Sequence, residues 1–248
     1  MSISETQIVR SGQLAGQTVL VIGGSAGIGL ETARLARELG ADVILTARNE
    51  ERLRSVGDEL GARVSAFDAT DSERLERFFA ELRSPLDHVL LTGPGPYYAP
   101  LAEFDFDKAA ADVGVHLFLP LRVAREAVGR VRAGGTLLFV GGTGGRQTAP
   151  GFALISALTA AGPAMTRSLA LEIAPIRVNL IAAGFVDTPL SAALLGDQLE
   201  ARREQLRTTL PVQRVIGPAD IAALAVHLMT NTAVTGATFD IDGGQQLV

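Results

Sequence analysis

Residues 19–29 read VLVIGGSAGIG, so a short apolar run leads directly into a turn that contains four glycines. A pattern typical of a helix, over residues 27–39, follows at once. Glycines let a backbone turn tightly and approach a ligand, and a helix start presents free N–H groups and a positive dipole end. The segment therefore predicts a phosphate-binding turn at a strand–helix junction. The alternative is a glycine-rich turn that binds no ligand.

The rest of the chain repeats this alternation of short apolar runs and longer helical patterns. Seven runs have the composition of strands that are buried on both faces; they cover residues 18–22, 42–47, 63–67, 88–91, 136–140, 177–182 and 238–241. The helical patterns cover residues 27–39, 50–60, 72–82, 107–130, 152–174, 190–207 and 218–229. The alternation predicts an α/β fold with one doubly wound, seven-stranded parallel sheet and helices on both faces. This single domain spans residues 1–248, and we expect residues 1–15 to form a flexible arm.

Composition excludes several classes of protein. The chain has 248 residues, of which 47% are hydrophobic and 20% charged, and its net charge is −5, so neither disorder nor a nucleic-acid partner is expected. It contains no cysteine, which excludes disulfides and thiol chemistry, and no His, Asp and Glu grouping predicts a metal site. Neither a membrane span nor a signal-peptide core is present in the sequence, and we expect a cytoplasmic protein without a membrane partner.

The spacing Gly23-x-x-x-Gly27-x-Gly29 resembles the cofactor motif of the short-chain dehydrogenase/reductase family. Further matches to the family are Asp68, Arg177-Val178-Asn179, Gly184, Thr188 and Asp240-Ile241-Asp242-Gly243-Gly244. Together they cover about residues 16 to 244. The resemblance implies a seven-stranded Rossmann sheet, a nicotinamide dinucleotide as cofactor, and a homodimer or homotetramer.

The end of the second predicted strand favours NADP(H) over NAD(H). It reads Thr46-Ala47-Arg48-Asn49, without the carboxylate that binds the ribose 2′-hydroxyl of NAD. A guanidinium can bind a 2′-phosphate as a fork, and the hydroxyl of Ser25 is expected to contact the same phosphate. The alternative reading of Arg48 is an exposed arginine at a strand end, and that of Asp68 is a cap for the next helix. The expected cofactor-contacting residues are Gly23, Ser25, Gly27, Ile28, Gly29, Arg48, Asn49, Asp68, Ala69, Thr92, Gly93, Gly184, Val186 and Thr188.

The residues that usually perform the family's chemistry are absent. Family members carry a serine, a tyrosine and a lysine, the last two on one face of a long helix. Aligned through Pro150-Gly151 and residues 166–172, these positions hold Gly142, Ile155 and Thr159. No lysine or tyrosine follows Lys108, so no shift of the alignment restores them. Because loss of a positioned general acid costs about 10²–10⁴ in rate, a carbonyl reductase of the usual type is not implied.

Other side chains near the expected site can supply a proton or contact a substrate. The loop at residues 93–100, GPGPYYAP, follows the fourth strand at the edge where open α/β sheets bind ligands. The catalytic candidates are Tyr98, His116, which aligns near a frequent family asparagine, and Thr143; the substrate candidates are Tyr97, Arg146 and Gln147. The structural alternatives are a tyrosine pair that packs the loop, a hydrogen-bonded helix histidine, and ordinary loop polarity.

Three functions remain open. The first is an NADP(H)-dependent oxidoreductase that reduces an activated C=C, C=N or C=O group with a non-standard proton donor. Its substrate would be a small, partly apolar molecule, because residues 188–210, the expected substrate lid, include the small or apolar residues 191–195. The second is a catalytically inactive NADP(H)-binding protein that acts as a sensor or an assembly partner. The third, a binding protein for another small ligand, predicts no NADP(H) binding.

Overall fold

A seven-stranded parallel sheet forms the centre of the fold, in the order β3-β2-β1-β4-β5-β6-β7. The structure is a computed structural model that describes residues 12–146 and 148–248. The strands are β1 Thr18–Ile22, β2 Asp42–Ala47, β3 Arg63–Ala66, β4 Leu86–Leu91, β5 Val131–Gly142, β6 Arg177–Ala183 and β7 Thr238–Ile241. From β1 the chain adds β2 and β3 on one side, and it then returns to add β4 on the other side of β1. This change of side between β1 and β4 creates the crevice where doubly wound sheets bind ligands. The predicted fold class is confirmed.

Helices cover both faces of this sheet. In the described ranges they are α1 Gly27–Glu38, α2 Glu50–Leu60, α3 Ser72–Glu81, α4 Phe106–Val113, α5 Leu119–Ala127, α6 Ala153–Glu172, α7 Pro189–Leu195, α8 Leu199–Thr209 and α9 Pro218–Thr230. Successive side chains of β1 enter opposite cores, Val19 with α1 and α9, and Leu20 with α3 and α5. Strands such as β1 and β4 are buried along their whole length, so they are mostly apolar rather than alternating. The edge strands β3 and β7 are only partly buried, so the expectation of burial on both faces is wrong for these two.

Three predicted elements differ from the structure by more than a residue or two at their ends. The helix predicted over residues 107–130 is interrupted by a π-helical turn, Gly114–Phe118, and ends at Ala127. Pro120 explains the interruption, since it has no N–H to donate to the carbonyl of His116. Strand β5 begins at Val131, which pairs with Leu86, rather than at residue 136. The helix predicted over residues 190–207 is divided into α7 and α8 by a 3₁₀ turn, Gly196–Gln198.

Part of the expected N-terminal arm is packed onto the domain. Leu14 is fully buried, and its N–H donates to the carbonyl of Leu39 at 3.0 Å. The expectation of a flexible arm is therefore wrong for residues 12–15, because an apolar side chain in this segment fills a gap beside α1. Residues 1–11 lie outside the described residues.

Two further findings concern the described part of the chain as a whole. None of its helices combines the length and apolar character needed to cross a membrane. Residues 12–146 and 148–248 contain no group of three or more His, Asp or Glu side chains arranged to hold a metal ion.

Candidate functional site

The glycine turn after β1 has the close backbone contacts that its sequence predicts. Gly23 has a φ of +91°, and a Cβ at this position would overlap the hydroxyl of Thr92. A Cβ on Gly29 would overlap the backbone carbonyl of Gly23. The Thr92 hydroxyl donates to the carbonyls of Ile22, at 3.2 Å, and Gly23, at 3.3 Å, which fixes the turn against the end of β4. Only glycine fits these two positions.

The start of α1 is open to an anion. Ala26, at the N-cap, makes no side-chain cap, and the first turn of the helix contains no acidic residue. The first backbone N–H groups of α1 therefore lack the side-chain cap that usually satisfies such donors. A phosphate would both accept from these donors and meet the positive end of the helix dipole. The turn thus fits the pyrophosphate of a dinucleotide.

The ends of β2 and β3 bring Arg48 and Asp68 close enough for their charges to interact. Arg48 is exposed and forms no ion pair within 4 Å with the residues of the described ranges. Burial opposes ionisation of Asp68, but hydrogen bonds from the N–H and hydroxyl of Thr70 outweigh it and, with Arg48, lower the pKa of Asp68. Asp71, rather than Asp68, caps α3.

Other predicted cofactor contacts have structural partners. Asn49 caps α2, its Oδ1 accepting from the N–H of Arg52 at 2.8 Å. The side chains of Ile28 and Ala69 are partly buried, and each packs against one of the two hydrophobic cores. Ser25 is half-buried in the glycine turn.

The start of the expected lid lies over the glycine turn. Thr188 caps α7, and its Cβ is 3.4 Å from the position that a Cβ on Gly27 would occupy. Val186 is buried in a bridge to Ile216. Gly184 is required by packing, because a Cβ there would lie 2.6 Å from the Cβ of Asp242.

The lid packs onto the loop at residues 93–100. A Cβ on Gly95 would lie 3.0 Å from Leu194 Cδ1 and 3.4 Å from Leu190 Cδ1. Asp187 anchors the second lid helix through a bidentate pair with Arg203, whose Nε and Nη2 lie 3.0 and 2.7 Å from the carboxylate oxygens. The apolar side of α7 thus faces the candidate site.

The helix face that carries the family's tyrosine and lysine is covered. A Cβ on Gly145 would overlap the Thr159 hydroxyl and lie 2.5 Å from the backbone carbonyl of Ile155. The 3₁₀ turn Gly144–Arg146 therefore packs directly on these two positions of α6. Gly142, at the serine position, differs from them, because a Cβ there would have its nearest neighbour at 3.7 Å.

His116 lies against the buried carboxylate of Asp112, one helical turn earlier. Its Nδ1 is 3.0 Å from Asp112 Oδ1 and 3.1 Å from the Asp112 backbone carbonyl. Both partners accept hydrogen bonds, so Nδ1 carries a hydrogen and Nε2 is the nitrogen that can exchange a proton with a ligand. A Cβ on Gly93 would lie 3.8 Å from this Nε2, so His116 faces the end of β4.

Asp112 was not among the residues singled out by sequence. Its side chain is 7% exposed, and Oδ2 is buried without a hydrogen-bond partner in the described part of the chain. The i,i+4 spacing from Asp112 to His116 is the signal that could have found it.

The two tyrosines of the loop have different environments. Tyr97 accepts a hydrogen bond from the N–H of Asp105 at 2.9 Å and packs on Phe104, so it holds the start of α4. Tyr98 is 46% exposed and packs on Phe152, and its hydroxyl oxygen would lie 3.9 Å from a Cβ on Gly144. Burial, together with the charge of Asp112, raises the pKa of Tyr98, so its hydroxyl keeps its proton at neutral pH.

The remaining candidates follow β5. Thr143 is only 2% exposed, and its backbone N–H donates to the carbonyl of Ala183. Arg146 binds Asp240 through two hydrogen bonds, at 2.5 and 2.8 Å, and also Gln246, which directs its guanidinium to the C-terminal segment. Gln147 lies outside the described residues.

Comparison with known proteins agrees with this architecture. A family profile described as Enoyl-(Acyl carrier protein) reductase matches residues 23–246. The short-chain dehydrogenase/reductase ATR9 of Stachybotrys chlorohalonatus is 30% identical over 251 aligned residues, covering 93% of this chain and 97% of that protein. The solved structure of the MalC reductase/Diels-Alderase from Malbranchea aurantiaca has a TM-score of 0.88 at 25% identity, covering 96% and 99% of the two chains. A dehydrogenase/reductase from Sinorhizobium meliloti 1021 has a TM-score of 0.83 at 33% identity, covering 98% and 99%. The chain belongs to the short-chain dehydrogenase/reductase family.

Proposed function

We propose that the protein is an NADP(H)-dependent reductase of activated double bonds in which His116 replaces the usual tyrosine as proton donor. The observation that carries this proposal is the Asp112–His116 pair beside Gly93, at the same sheet edge as the glycine turn. Its relatives include proteins described as reductases, which agrees with the proposed direction of the reaction.

Four groups of this chain would hold the cofactor. The N–H groups at the start of α1 would bind the pyrophosphate, and Arg48 with Ser25 would bind the 2′-phosphate. Asp68, kept ionised by Thr70 and Arg48, would accept from the adenine amino group. When bound, the nicotinamide ring supplies a hydride.

His116 would hold a proton at Nε2 and donate it to the reduced substrate. Asp112 would hold the orientation of the ring by accepting a hydrogen bond from Nδ1, as a carboxylate does for a catalytic histidine. Tyr98, protonated at neutral pH, would donate a hydrogen bond at the outer side of the site. Of the three catalytic candidates, Thr143 is the most buried and has no separate role in this scheme.

The chemistry of the substrate decides how much it needs this acid. A ketone or an enone gains a proton as well as a hydride, whereas an iminium ion becomes a neutral amine by hydride addition alone. We therefore place the substrate among small, partly apolar molecules with an activated C=C, C=N or C=O group. The apolar residues Leu190 and Leu194 of the lid support the apolar part.

A homodimer or homotetramer is part of this proposal. On the outer side of α5 and the preceding turn, Phe118 is 49% and Leu121 40% exposed, and Leu171 on α6 is 84% exposed. Exposed apolar side chains on α5, on the turn before it and on α6 favour an interface between copies of the chain. Light scattering at micromolar concentration tests this, and a monomeric mass would contradict it.

A second candidate, a catalytically inactive NADP(H)-binding protein, is favoured by one observation. The turn at Gly145 packs on the backbone of Ile155 and the side chain of Thr159, the positions of the family's tyrosine and lysine, and neither of these residues can transfer a proton. This protein would bind the cofactor as a sensor or an assembly partner.

The first experiment separates cofactor binding from turnover. Fluorescence titration with NADPH and NADH would compare the wild type with Arg48→Ala and Gly27→Asp, and with Arg52→Ala as the control for loss of an exposed arginine. We expect preference for NADPH, lost in Arg48→Ala and retained in the control, and no binding in Gly27→Asp. If neither nucleotide binds, both candidates are wrong.

The second experiment follows NADPH consumption with a cyclic enone and with a cyclic iminium ion as probes. His116→Gln should lower enone reduction about 10²–10⁴-fold and leave iminium reduction nearly unchanged. Equal losses with both probes would contradict the role of His116 as a proton donor. NADPH binding without turnover of either probe would favour the inactive protein.

A further inference from the structure

A cavity of about 80 Å³ extends from the candidate site into the layer between the sheet and α6. Its wall includes Gly93 and His116 on one side and Gly142, Ile155 and Thr159 on the other. His116 is the proposed proton donor, and the other three residues, Gly142, Ile155 and Thr159, occupy the positions of the family's serine, tyrosine and lysine. The cavity is therefore part of the site rather than a separate void in the core.

The wall of this cavity is largely apolar. Its apolar side chains include Leu91, Val115, Phe139, Ile155, Leu158 and Met165. Among the described residues that line it, only His116 and Thr159 carry polar side-chain atoms. A water molecule needs roughly two to four polar partners, so most of this space is poorly suited to water and well suited to hydrocarbon.

The size of the cavity limits what it can hold. Protein cores contain few voids larger than a water molecule, which occupies roughly 10–15 Å³ of such space. A dry cavity of about 150 Å³ accepts benzene, so the smaller cavity here suits a group smaller than a ring. A branched chain of a few carbon atoms, such as an isopropyl group, matches both the volume and the wall.

We infer that this cavity is a substrate subsite that takes a compact, branched hydrocarbon group attached close to the reducible double bond. The inference rests on the proposed function, because it assumes that the reducible bond lies beside Gly93 and Nε2 of His116. It narrows the substrate class to activated enones, iminium ions or carbonyl compounds that carry such a group. A polar or charged group at that position would lose its hydration without gaining partners, and would be rejected.

Xenon is a suitable first probe, because it enters dry apolar cavities and does not depend on cofactor or turnover. Methyl NMR under xenon pressure should show saturable shifts at Ile155 and Leu158 in the wild type. Gly142→Val should abolish them, since Gly142 lines the cavity and its Cβ position has no neighbour closer than 3.7 Å, which leaves room for a larger side chain. Gly114→Val is the matched control, because a Cβ at Gly114 has no neighbour within 4 Å and lies outside the cavity wall.

Should Gly142→Val fail to fold, Gly93→Ala offers a second filling variant, with its Cβ 3.8 Å from Val115 Cγ1. Absence of saturable shifts in the wild type, or their persistence in the filling variant, would overturn the assignment of this space.

The ligand assignment is tested with two probes in the presence of NADPH, cyclohexenone and 4-isopropylcyclohexenone. We expect the branched probe to bind at least tenfold more tightly and to displace xenon, and this preference to disappear in Gly142→Val. Binding of both probes with equal affinity and without displacement of xenon would overturn the subsite. Failure of the proposed function is a different result, namely no binding of NADPH to the wild type.

Discussion

Oδ1 of Asp112 lies 3.0 Å from Nδ1 of His116, and one helical turn joins the two residues. The other carboxylate oxygen, Oδ2, is buried without a hydrogen-bond partner in the described ranges. A buried carboxylate oxygen without a hydrogen-bond partner destabilises the fold. Because this carboxylate lies beside a histidine at the sheet edge, we infer that it is kept for function rather than for stability.

Replacing Asp112 should therefore separate stability from activity. Asp112→Leu removes both the unpaired Oδ2 and the hydrogen bond between Oδ1 and His116, which have opposite effects on stability. We therefore expect the free energy of unfolding in urea to change by no more than about 1 kcal/mol. Enone reduction should fall about tenfold or more, because Nδ1 of His116 then has only the Asp112 backbone carbonyl to hold it.

The control for this prediction is Asp107→Leu, which removes an exposed carboxylate from the same helix. It should change neither quantity beyond the effect of a surface substitution. A loss of several kcal/mol in Asp112→Leu alone would mean that the carboxylate is kept for the stability that its pair with His116 gives the fold.

The contact between Gly145 and α6 should make that glycine irreplaceable. Gly145→Ala places a methyl group against the backbone carbonyl of Ile155 and the hydroxyl of Thr159, so we expect a loss of about 1–3 kcal/mol in urea unfolding. Gly142→Ala, three residues earlier, has room for its Cβ and should be nearly neutral. Equal effects of the two substitutions would show that the turn can move away from α6.

The fold could be predicted because its signals are local in sequence. Runs such as residues 18–22 are apolar throughout because β1 is buried on both faces, and the glycine turn follows within the same segment. The start of β5 was missed because residues 132–135, RAGG, carry no apolar side chain beyond alanine. The break at Gly114–Phe118 was missed although Pro120 marks it.

The site could be predicted only in part, because its decisive contacts join distant residues. The packing of Gly145 on Thr159 depends on how a loop meets a helix, which no spacing reveals. Arg146 reaches Asp240, 94 residues away, so its partner could not be inferred from the neighbouring sequence. The Asp112–His116 pair is the exception, since its i,i+4 spacing was available in the sequence.

Arg177 should be among the most sensitive positions for stability. Arg177 is 6% exposed, and its guanidinium donates to the carbonyls of Gly134, Leu228, Met229, Asn231 and Val234 and to the hydroxyl of Thr136. Arg177→Met leaves several buried acceptors unpaired, and we expect a loss of at least about 3 kcal/mol. For a chain of this length that is a fall in Tm of roughly 6–12 °C by calorimetry.

Arg122→Met is the matched control for Arg177, since Arg122 donates to a single carbonyl, that of Thr70. It should lower Tm by no more than about 2 °C. Arg177→Lys should recover only part of the loss, because an ammonium group offers three donors and cannot reproduce the planar fork. Full recovery by lysine would contradict this account.

His88 should make the protein less stable in mild acid. The pKa of His88 is lowered from 6.5 to about 4, chiefly by burial and also by the charge of Arg177, whereas the charge of Asp87 opposes the shift. Nδ1 of His88 has no hydrogen-bond partner in the described ranges. In the unfolded chain His88 is therefore protonated as the pH falls below about 6.5, whereas in the folded chain it is protonated only near pH 4. The free energy of unfolding is therefore unaffected by His88 titration above pH 6.5. It falls by about 3 kcal/mol in total as the pH is lowered toward 4.

Urea unfolding between pH 7.5 and 4.5 measures this loss, and His88→Gln isolates it from the titration of other groups. Glutamine keeps a polar side chain toward Gln17, which His88 contacts through Nε2 at 2.6 Å, but it does not titrate. The variant should be less stable than the wild type above pH 6.5. The difference in free energy of unfolding should shrink by about 3 kcal/mol as the pH falls, because only the wild type has a buried histidine that resists protonation. A pH dependence that is identical in the two proteins would mean that another group controls the acid sensitivity of the fold.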